Sequence, residues 1–312
     1  MTKIVFLDGY SLGDSPLNAL QSLGELTVHQ DSKQEEVVER CKDAEIIITN
    51  KVKVMRAEMD ALPNLRLICV AATGTNNVDT AYAAERGITV RNVAGYSTTS
   101  VTEATLSFVL GLLRQVPYYN DFVNSGEYSS GSRCFNLTRP IGEVRGKRWG
   151  IIGMGAIGRE VAAIATAMGA DVCYYSTSGK NLSQGYQNVS FEELLSSCDI
   201  ISIHSPLNSD TANLIGSREL QKMKSSAILI NVGRGGIVDE NALASALNND
   251  TIAGAALDVF QNEPLETTSP LLTLKDSYKF ISAPHCGWSS KEARTTLINV
   301  IAQNIQSYLS QS

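Results

Sequence analysis

The segment from Arg148 to Ser178 constrains the fold of this chain more than any other. It begins with a short apolar run, continues with Gly153, Gly155 and Gly158, and then shows helical periodicity up to Gly169. A dinucleotide site requires this order of strand, tight turn and helix. The first glycine permits the turn, the second lets a pyrophosphate approach the backbone, and the third lets helix and strand pack closely. The phosphates would lie at the helix N-terminus, where free N–H groups and the helix dipole favour an anion.

The second strand of this unit, Ala170 to Tyr175, ends without the acidic residue that binds a ribose 2′-hydroxyl. Ser176, Thr177 and Ser178 follow the strand, and Lys180 comes soon after them. Hydroxyl groups and a lysine suit a 2′-phosphate at least as well as a free hydroxyl. The predicted cofactor is therefore NAD(H) or NADP(H), and the choice between them stays open.

Composition restricts the class of protein. The chain has 312 residues, of which 43% are hydrophobic and 19% charged, and its formal net charge is -6. These values are typical of a globular protein with room for two domains. Scattered basic residues argue against a nucleic-acid partner. No apolar run reaches the length of a membrane span, and Asp8 interrupts the apolar start, which is unlike a signal peptide.

The six cysteines form no C-x-x-C pair and mostly lie within apolar runs. Reduced thiols in a cytoplasmic protein are the simplest explanation, and no metal site is expected.

Apolar strands alternate with helical patterns along the chain, which predicts parallel sheets with helices on both faces. The strands predicted for a first sheet are Lys3 to Asp8, Glu25 to His29, Ala44 to Asn50, Arg66 to Ala72 and Ile88 to Val93. Helices are predicted between them near Pro16 to Leu23, at Lys33 to Lys42, near Arg56 to Leu62 and at Asp79 to Arg86.

A long helix is predicted from Val101 toward Val123, and Ser190 with Glu193 indicates a capping box that opens another helix. A second parallel sheet is predicted from the dinucleotide unit and the later strands Asp199 to His204, Ala227 to Val232, Ile252 to Val259 and Tyr278 to Ala283. The final helix, Lys291 to Leu309, is expected to return to the first domain.

The predicted architecture is α/β, with two doubly wound parallel-sheet domains and a cleft between them. Residues 1–98 and 286–312 are predicted to form a flavodoxin-like substrate domain, and residues 99–285 a Rossmann domain that binds NAD(P).

Ligands of open parallel sheets bind at the carboxyl ends of the strands, so charged residues that follow strands are candidates for chemistry. Arg234 lies between glycines after one strand, Glu263 follows the next, and His285 follows the last. Each residue alone has a structural or solvated alternative. Together they match the needs of hydride transfer to a 2-oxo acid: arginine binds the carboxylate, imidazolium protonates the ketone oxygen, and a carboxylate raises the histidine pKa.

Five motifs resemble the D-isomer-specific 2-hydroxyacid dehydrogenase family along the whole chain. They are Gly153-Met-Gly-Ala-Ile-Gly158, His204-Ser-Pro-Leu207, Asn231-Val-Gly-Arg-Gly-Gly-Ile-Val-Asp239, Leu257-Asp-Val-Phe-Gln-Asn-Glu-Pro264 and Pro284-His285. The resemblance implies that Arg234 binds the substrate carboxylate and carbonyl. It also implies that His285 is the acid in reduction and the base in oxidation, and that Glu263 pairs with it.

The resemblance further implies which residues bind ligands. Asp258 would contact the nicotinamide carboxamide, Thr102 would lie near the nicotinamide, and backbone N–H groups near Gly74 and Thr75 would bind the substrate carboxylate. The predicted cofactor-binding residues are Thr102, Gly153, Gly155, Ala156, Ile157, Gly158, Ser176, Thr177, Ser178, His204, Ser205, Pro206, Val232, Gly233, Arg234, Asp258, His285 and Gly287. The predicted substrate-binding residues are Lys51, Gly74, Thr75, Arg234, His285 and Trp288.

Within the family, the chain is most similar to the glycerate dehydrogenases, also called hydroxypyruvate reductases. The segments that carry this similarity are Thr49-Asn-Lys51, Ala72-Thr-Gly-Thr-Asn-Asn-Val-Asp79, Asn92-Val-Ala-Gly-Tyr-Ser97 and Trp288. Trp288 either closes a small side-chain pocket or belongs to a core or interface. Ser176 replaces the usual aspartate, and Cys286-Gly287 stands where relatives often have Ile-Ala.

The expected reaction is the NAD(P)H-dependent reduction of hydroxypyruvate or glyoxylate to D-glycerate or glycolate, by a homodimer as in many relatives. Other D-2-hydroxyacid dehydrogenases, of the D-lactate or phosphoglycerate type, are alternatives. The end of the chain at residue 312 leaves no room for the regulatory domain of many phosphoglycerate dehydrogenases. Formate oxidation is disfavoured because those relatives have an amide in place of Glu263. A dinucleotide-sensing corepressor is a further alternative. The absence of tails beyond the two domains argues against it. Such a protein would bind the cofactor but convert small oxo acids very slowly.

Overall fold

The computed structural model describes residues 1–182 and 185–311, and these form two compact units. One unit consists of Met1–Ser97 and Ser289–Ser312, and the other of Thr98–Trp288. Each unit contains a parallel sheet with α-helices, so the prediction of two α/β parallel-sheet domains is confirmed.

The first unit is built on a five-stranded parallel sheet. Its strands are β1 (Lys3–Phe6), β2 (Glu25–Val28), β3 (Ile46–Thr49), β4 (Leu67–Val70) and β5 (Thr89–Arg91). Their order in the sheet is β2-β1-β3-β4-β5. Every residue of β3 and β4 is buried, as expected for central strands covered on both faces.

Among the described residues of this unit, four α-helices lie between its strands in the sequence. They are α1 (Asn18–Gln21), α2 (Val37–Cys41), α3 (Arg56–Ala61) and α4 (Thr80–Glu85). The first two are shorter than predicted. The helix predicted from Lys33 begins as a 3-10 turn at Gln34–Glu36 and becomes α-helical only at Val37.

The second unit contains a seven-stranded sheet in which all pairings are parallel. Its strands are β6 (Arg148–Ile152), β7 (Asp171–Tyr175), β8 (Gln187–Asn188), β9 (Ile200–Ile203), β10 (Ile228–Asn231), β11 (Gly254–Leu257) and β12 (Phe280–Ser282). Their order is β12-β11-β10-β9-β6-β7-β8. The order reverses between β6 and β9, and ligands of open parallel sheets bind at such a switch point.

Seven helices of the second unit are found in the described part of the chain. They are α5 (Thr98–Leu113), α6 (Val116–Asn124), α7 (Glu127–Ser130), α8 (Ala156–Ala167), α9 (Phe191–Ser197), α10 (Ser217–Lys222) and α11 (Glu240–Asn248). At the start of α9, the Ser190 hydroxyl accepts a hydrogen bond from the Glu193 N–H at 3.1 Å, which agrees with the predicted cap.

The prediction of one long helix from Val101 toward Val123 is wrong. The helix ends at Leu113 because Gln115 has a left-handed backbone, with φ of 53°. A left-handed residue cannot continue a right-handed helix. Pro117 then occupies the start of α6, where its missing N–H costs nothing. The predicted segment is therefore two helices with a break between them.

The final helix, α12 (Lys291–Leu309), belongs to the first unit. It buries Ala293, Leu297, Ile298, Ile301 and Ile305. Within that unit, Arg294 lies 3.1 Å from the Asp14 carboxylate, and Arg91 donates to the Asn304 carbonyl at 3.1 Å. No helix among residues 1–182 and 185–311 has the length and apolarity needed to cross a membrane.

Candidate active site

Each glycine of the turn between β6 and α8 is required for a different physical reason. Gly153 has φ of 94°, and a side chain there would overlap with the Ser205 hydroxyl. A side chain at Gly158 would overlap with the Gly153 carbonyl, so this glycine lets the helix pack against the strand. A Cβ atom at Gly155 would meet no atom within 4 Å. The space beside Gly155 is therefore open to a ligand.

Helix α8 begins beside that open space. Its N-cap residue is Gly155, which has no side chain to accept hydrogen bonds from the first turn. The N–H groups of Ala156, Ile157 and Gly158 in that turn have no carbonyl acceptor within the helix. This arrangement suits a phosphate group, because the helix dipole also favours an anion at that end.

Residues 175–182, at the end of β7 and directly after it, include neither Asp nor Glu. Ser176 is buried, and its hydroxyl accepts a long hydrogen bond from the Asn181 N–H at 3.4 Å. The hydroxyl of Thr177 lies 3.4 Å from that of Ser205, while Ser178 and Lys180 are exposed. The polar side chains of residues 175–182, where a nucleotide ribose is expected, are thus hydroxyl groups, one amide and one cation.

Two buried polar atoms near the predicted cofactor site have no hydrogen-bond partner within the described residues. They are the Thr102 hydroxyl oxygen, on α5, and Nδ1 of His204, after β9. Leaving a buried polar group unpaired costs about 1–3 kcal/mol. Polar groups of a bound ligand can remove such a cost. The orphaned atoms, the open space at Gly155 and the start of α8 together fit a dinucleotide cofactor.

The other nitrogen of His204 belongs to a buried chain of hydrogen bonds. The Trp149 indole N–H donates to the Ser202 hydroxyl at 2.9 Å, and that hydroxyl lies 3.0 Å from Nε2 of His204. Desolvation lowers the pKa of His204 to about 3, so the ring is neutral at physiological pH. Ser202 is a contact that the sequence patterns did not indicate.

Asp258, at the end of β11, fixes the loop that contains the candidate histidine. Its carboxylate accepts hydrogen bonds from the N–H groups of Cys286 at 2.9 Å and Gly287 at 3.0 Å. A Cβ atom on Gly287 would lie 2.7 Å from the carboxylate, so this glycine allows the close approach. Burial raises the pKa of Asp258, and the N–H donors oppose that shift. The sequence suggested a nicotinamide contact for Asp258 and missed this structural contact.

His285 and Glu263 are in direct contact. Nδ1 of His285 lies 2.7 Å from Oε2 of Glu263. The other carboxylate oxygen of Glu263 accepts a hydrogen bond from the Phe260 N–H at 3.1 Å. His285 has φ of 52°, and its N–H donates to the Asp258 carbonyl at 2.7 Å. Main-chain and side-chain contacts therefore hold both partners of the pair.

The loop that contains Arg234 is fixed by Asn231, the last residue of β10. The Asn231 amide donates to the Arg234 carbonyl at 2.9 Å and accepts from the Gly233 N–H at 3.0 Å. A side chain at Gly235 would overlap with the Phe260 carbonyl, so the loops after β10 and β11 pack against each other there. The Arg234 side chain is exposed. The sequence patterns did not indicate these contacts of Asn231.

The sheet order brings these loops to one edge. Segments after adjacent parallel strands must lie next to each other, because parallel strands end at the same edge. From one side of the sheet to the other, the loops contain His285 (after β12), Asp258 and Glu263 (after β11), Val232 to Arg234 (after β10), His204 to Pro206 (after β9), Gly153 (after β6) and Ser176 to Ser178 (after β7).

The remaining candidates lie elsewhere. In the first unit, Lys51 follows β3, and Gly74 and Thr75 follow the adjacent strand β4. At the end of the second unit, Trp288 is partly buried against an apolar cluster that includes residues of α5 and α8.

The known proteins that this chain resembles include one family and two enzymes of similar length. Residues 106–287 match the model of the family described as D-isomer specific 2-hydroxyacid dehydrogenase, NAD binding domain. The chain is 37% identical to a hydroxypyruvate reductase of Blautia hydrogenotrophica, over 99% of this chain and 98% of the relative. It is 38% identical to a glycerate dehydrogenase of Methylorubrum extorquens, over 98% of this chain and 96% of the relative.

A solved structure is similar over nearly the full length of the chain. The NADPH-dependent glyoxylate/hydroxypyruvate reductase of Sinorhizobium meliloti superposes with a TM-score of 0.85 at 27% identity. The match covers 99% of this chain and 95% of that one.

Proposed function

The chain belongs to the D-isomer-specific 2-hydroxyacid dehydrogenase family, and we propose that it reduces hydroxypyruvate or glyoxylate to D-glycerate or glycolate. Membership makes the protein an NAD(P)-dependent oxidoreductase that interconverts 2-hydroxy and 2-oxo acids. The substrate proposal is supported by relatives described as hydroxypyruvate, glycerate or glyoxylate enzymes. The observation that carries the chemistry is the 2.7 Å contact between His285 and Glu263.

In the proposed mechanism, His285 donates a proton to the substrate carbonyl oxygen in reduction and accepts one in oxidation. When bound, the nicotinamide supplies hydride to the substrate carbonyl carbon. Glu263 accepts a hydrogen bond from the Nδ1–H group of His285 and so fixes the orientation of the imidazole ring. The Nε2–H group then donates to the carbonyl oxygen as that oxygen gains negative charge, and in the reverse reaction Nε2 takes the proton back.

We propose that cationic side chains and backbone N–H groups orient the substrate. Arg234 binds the carboxylate and carbonyl through its planar guanidinium. We also assign Lys51 and the backbone N–H groups near Gly74 and Thr75 to the substrate carboxylate. Trp288 limits the size of the substrate side chain in this proposal, which favours acids as small as glyoxylate and hydroxypyruvate.

We propose a preference for NADP(H) over NAD(H). An acidic residue at the end of the second strand would repel a 2′-phosphate. Here Ser176 stands at that position, with Ser178 and Lys180 close by in the sequence and exposed. The Sinorhizobium meliloti reductase is itself described as NADPH-dependent, which supports the proposal.

We propose a homodimer in the cytoplasm. Apolar side chains at Val116, Val123, Phe135, Leu137 and Ile141 are each at least 48% exposed, and a second copy could cover them. Free thiols at all six cysteines agree with a reducing compartment. Sedimentation velocity would show a species of twice the monomer mass, and a monomer at micromolar concentration would contradict the assembly.

The reaction is tested by steady-state oxidation of NADPH and NADH with hydroxypyruvate, glyoxylate, pyruvate and phosphohydroxypyruvate. We expect fast turnover with hydroxypyruvate or glyoxylate, with higher kcat/KM for NADPH. Faster turnover with pyruvate or phosphohydroxypyruvate would instead indicate a dehydrogenase of the D-lactate or phosphoglycerate type. Tight dinucleotide binding without turnover of any acid would overturn the proposal and indicate a dinucleotide-sensing binding protein.

A further inference from the structure

Asp8, the second residue after β1, has an unusual set of contacts for a residue that the mechanism does not use. Its side chain is buried, with 7% of the residue exposed. The carboxylate accepts hydrogen bonds from three consecutive backbone N–H groups of the loop after β3. These come from Asn50 at 2.8 Å, Lys51 at 2.6 Å and Val52 at 3.2 Å. One buried carboxylate thus holds the backbone on both sides of the Lys51 side chain.

The contacts continue to the next strand of the sheet. The Asn50 side-chain amide donates to the Ala71 carbonyl at 2.6 Å, directly after β4. The Asn77 amide donates to the carbonyls of Asn50 at 3.3 Å and Val52 at 3.2 Å. Asn50 and Asn77 therefore connect the Asp8-bound loop to both ends of the segment that contains Gly74 and Thr75. Strands β1, β3 and β4 are adjacent, so the network spans three neighbouring strand ends.

The ionised form of Asp8 suits this network, because all three backbone groups are donors and a carboxylate offers only acceptors. Burial raises the pKa of Asp8 and would favour the neutral form, but the N–H groups of Lys51, Asn50 and Val52 oppose that shift. Hydrogen bonds to an ionised acceptor are about twice as strong as neutral ones. An amide in place of the carboxylate keeps one acceptor oxygen and would direct its own N–H group at least toward the Asn50 N–H, which contacts both carboxylate oxygens.

We propose that Asp8 is a positioning residue for the substrate carboxylate, acting through the backbone of Lys51 and, by way of Asn50, through the loop of Gly74 and Thr75. The inference rests on the proposed function, which assigns those residues to the substrate. Asp8 touches neither substrate nor cofactor in this account. Its loss therefore weakens substrate binding and leaves cofactor binding, which belongs to the second unit, unchanged.

The test is Asp8→Asn, which preserves size and removes the charge. We expect KM for hydroxypyruvate to rise about tenfold, the equivalent of one lost charge-assisted hydrogen bond. kcat and the Kd for NADPH, measured by fluorescence titration, should stay within about twofold, a difference too small to represent a lost hydrogen bond. The control is Asp43→Asn in the same unit, where the carboxylate is exposed and contacts Lys3 at 3.4 Å. Its KM should match that of the wild type.

A double-mutant cycle with Lys51→Met tests whether Asp8 acts through Lys51. If it does, Lys51→Met should raise KM less in the Asp8→Asn background than in the wild type, because coupled residues are not additive. Full additivity would show that Asp8 does not act through Lys51 and would overturn the inference.

A lower melting temperature of Asp8→Asn with unchanged KM would make Asp8 purely structural and would also overturn the inference. If Asp8→Asn does not fold, Asp8→Glu keeps the charge and displaces it by one methylene group. A raised KM with unchanged NADPH affinity then supports the inference, and a wild-type KM overturns it. An inactive wild-type protein would instead count against the proposed function itself.

Discussion

At the level of single residues, His285 has a strained backbone that contacts with two other residues stabilise. Its φ of 52° lies in the left-handed region that few residues other than glycine adopt. Such a conformation costs on the order of 1–3 kcal/mol. The N–H bond to the Asp258 carbonyl and the Nδ1 contact with Glu263 offset this cost and fix the ring. The position of His285 after a strand could be read from the sequence, but its conformation could not.

Ser176 is the residue at which the cofactor proposal can be tested. Ser176→Asp should lower the ratio of kcat/KM for NADPH to that for NADH by about tenfold or more, since the new charge repels a 2′-phosphate. Ser176→Asn is the matched control, because it has nearly the same size without the charge. An equal ratio in all three proteins would show that this strand end does not contact the ribose.

At the level of secondary structure, the turn between β6 and α8 was predicted because its glycines follow the spacing of a dinucleotide-binding turn. The break after α5 was missed because the apolar period continues through it, whereas Gln115 is left-handed. Strand β8 was missed because it has two residues, both exposed, and therefore no periodicity. Local patterns thus predict long elements well and short or interrupted elements poorly.

Gly155 and Gly158, two of the three glycines of the turn, should respond differently to substitution. Gly158→Ala places a Cβ atom against the Gly153 carbonyl, so we expect a destabilisation of about 1–3 kcal/mol, typical of overpacking. Gly155→Ala meets no protein atom within 4 Å and should destabilise less, while weakening NADPH binding by filling the space beside the helix. Thermal unfolding and fluorescence titration would measure the two effects. Equal losses of stability would contradict the separate roles.

At the scale of the whole molecule, the alternation of strands and helices was enough to predict two parallel sheets, because buried strands read as apolar runs. The contacts that arrange the site were not predictable in this way. Asp8 binds a loop 42 residues away, and Asp258 binds one 28 residues away. No local pattern encodes such pairs, and Asp8 was recognised only as an interruption of the first apolar run. The sequence therefore identified candidate site residues but not the contacts by which Asp8 and Asp258 hold the loops that contain Lys51 and His285.

The buried His204 should make stability fall in acid. Its pKa of about 3 in the folded protein lies below the ordinary value of 6.5, so only the unfolded chain gains this proton as the pH drops through 6.5. Each pH unit below 6.5 can then cost up to about 1.4 kcal/mol. The fall in melting temperature from pH 7.5 to pH 5 should be smaller in His204→Gln than in the wild type. His29, whose pKa is also lowered by burial, is present in both proteins and cancels in the comparison. An equal fall in melting temperature in both proteins would show that the folded protein protonates His204 as readily as the unfolded chain does.

The proposed role of His285 as proton donor is tested by the kcat of His285→Asn for hydroxypyruvate reduction, with His29→Asn as the control histidine variant. We expect kcat to fall by about 10²- to 10⁴-fold, the range for loss of a general acid, with little change in the Kd for NADPH. The control should keep the wild-type kcat. A wild-type kcat in His285→Asn would show that the pair with Glu263 is structural and that His285 does not donate the proton.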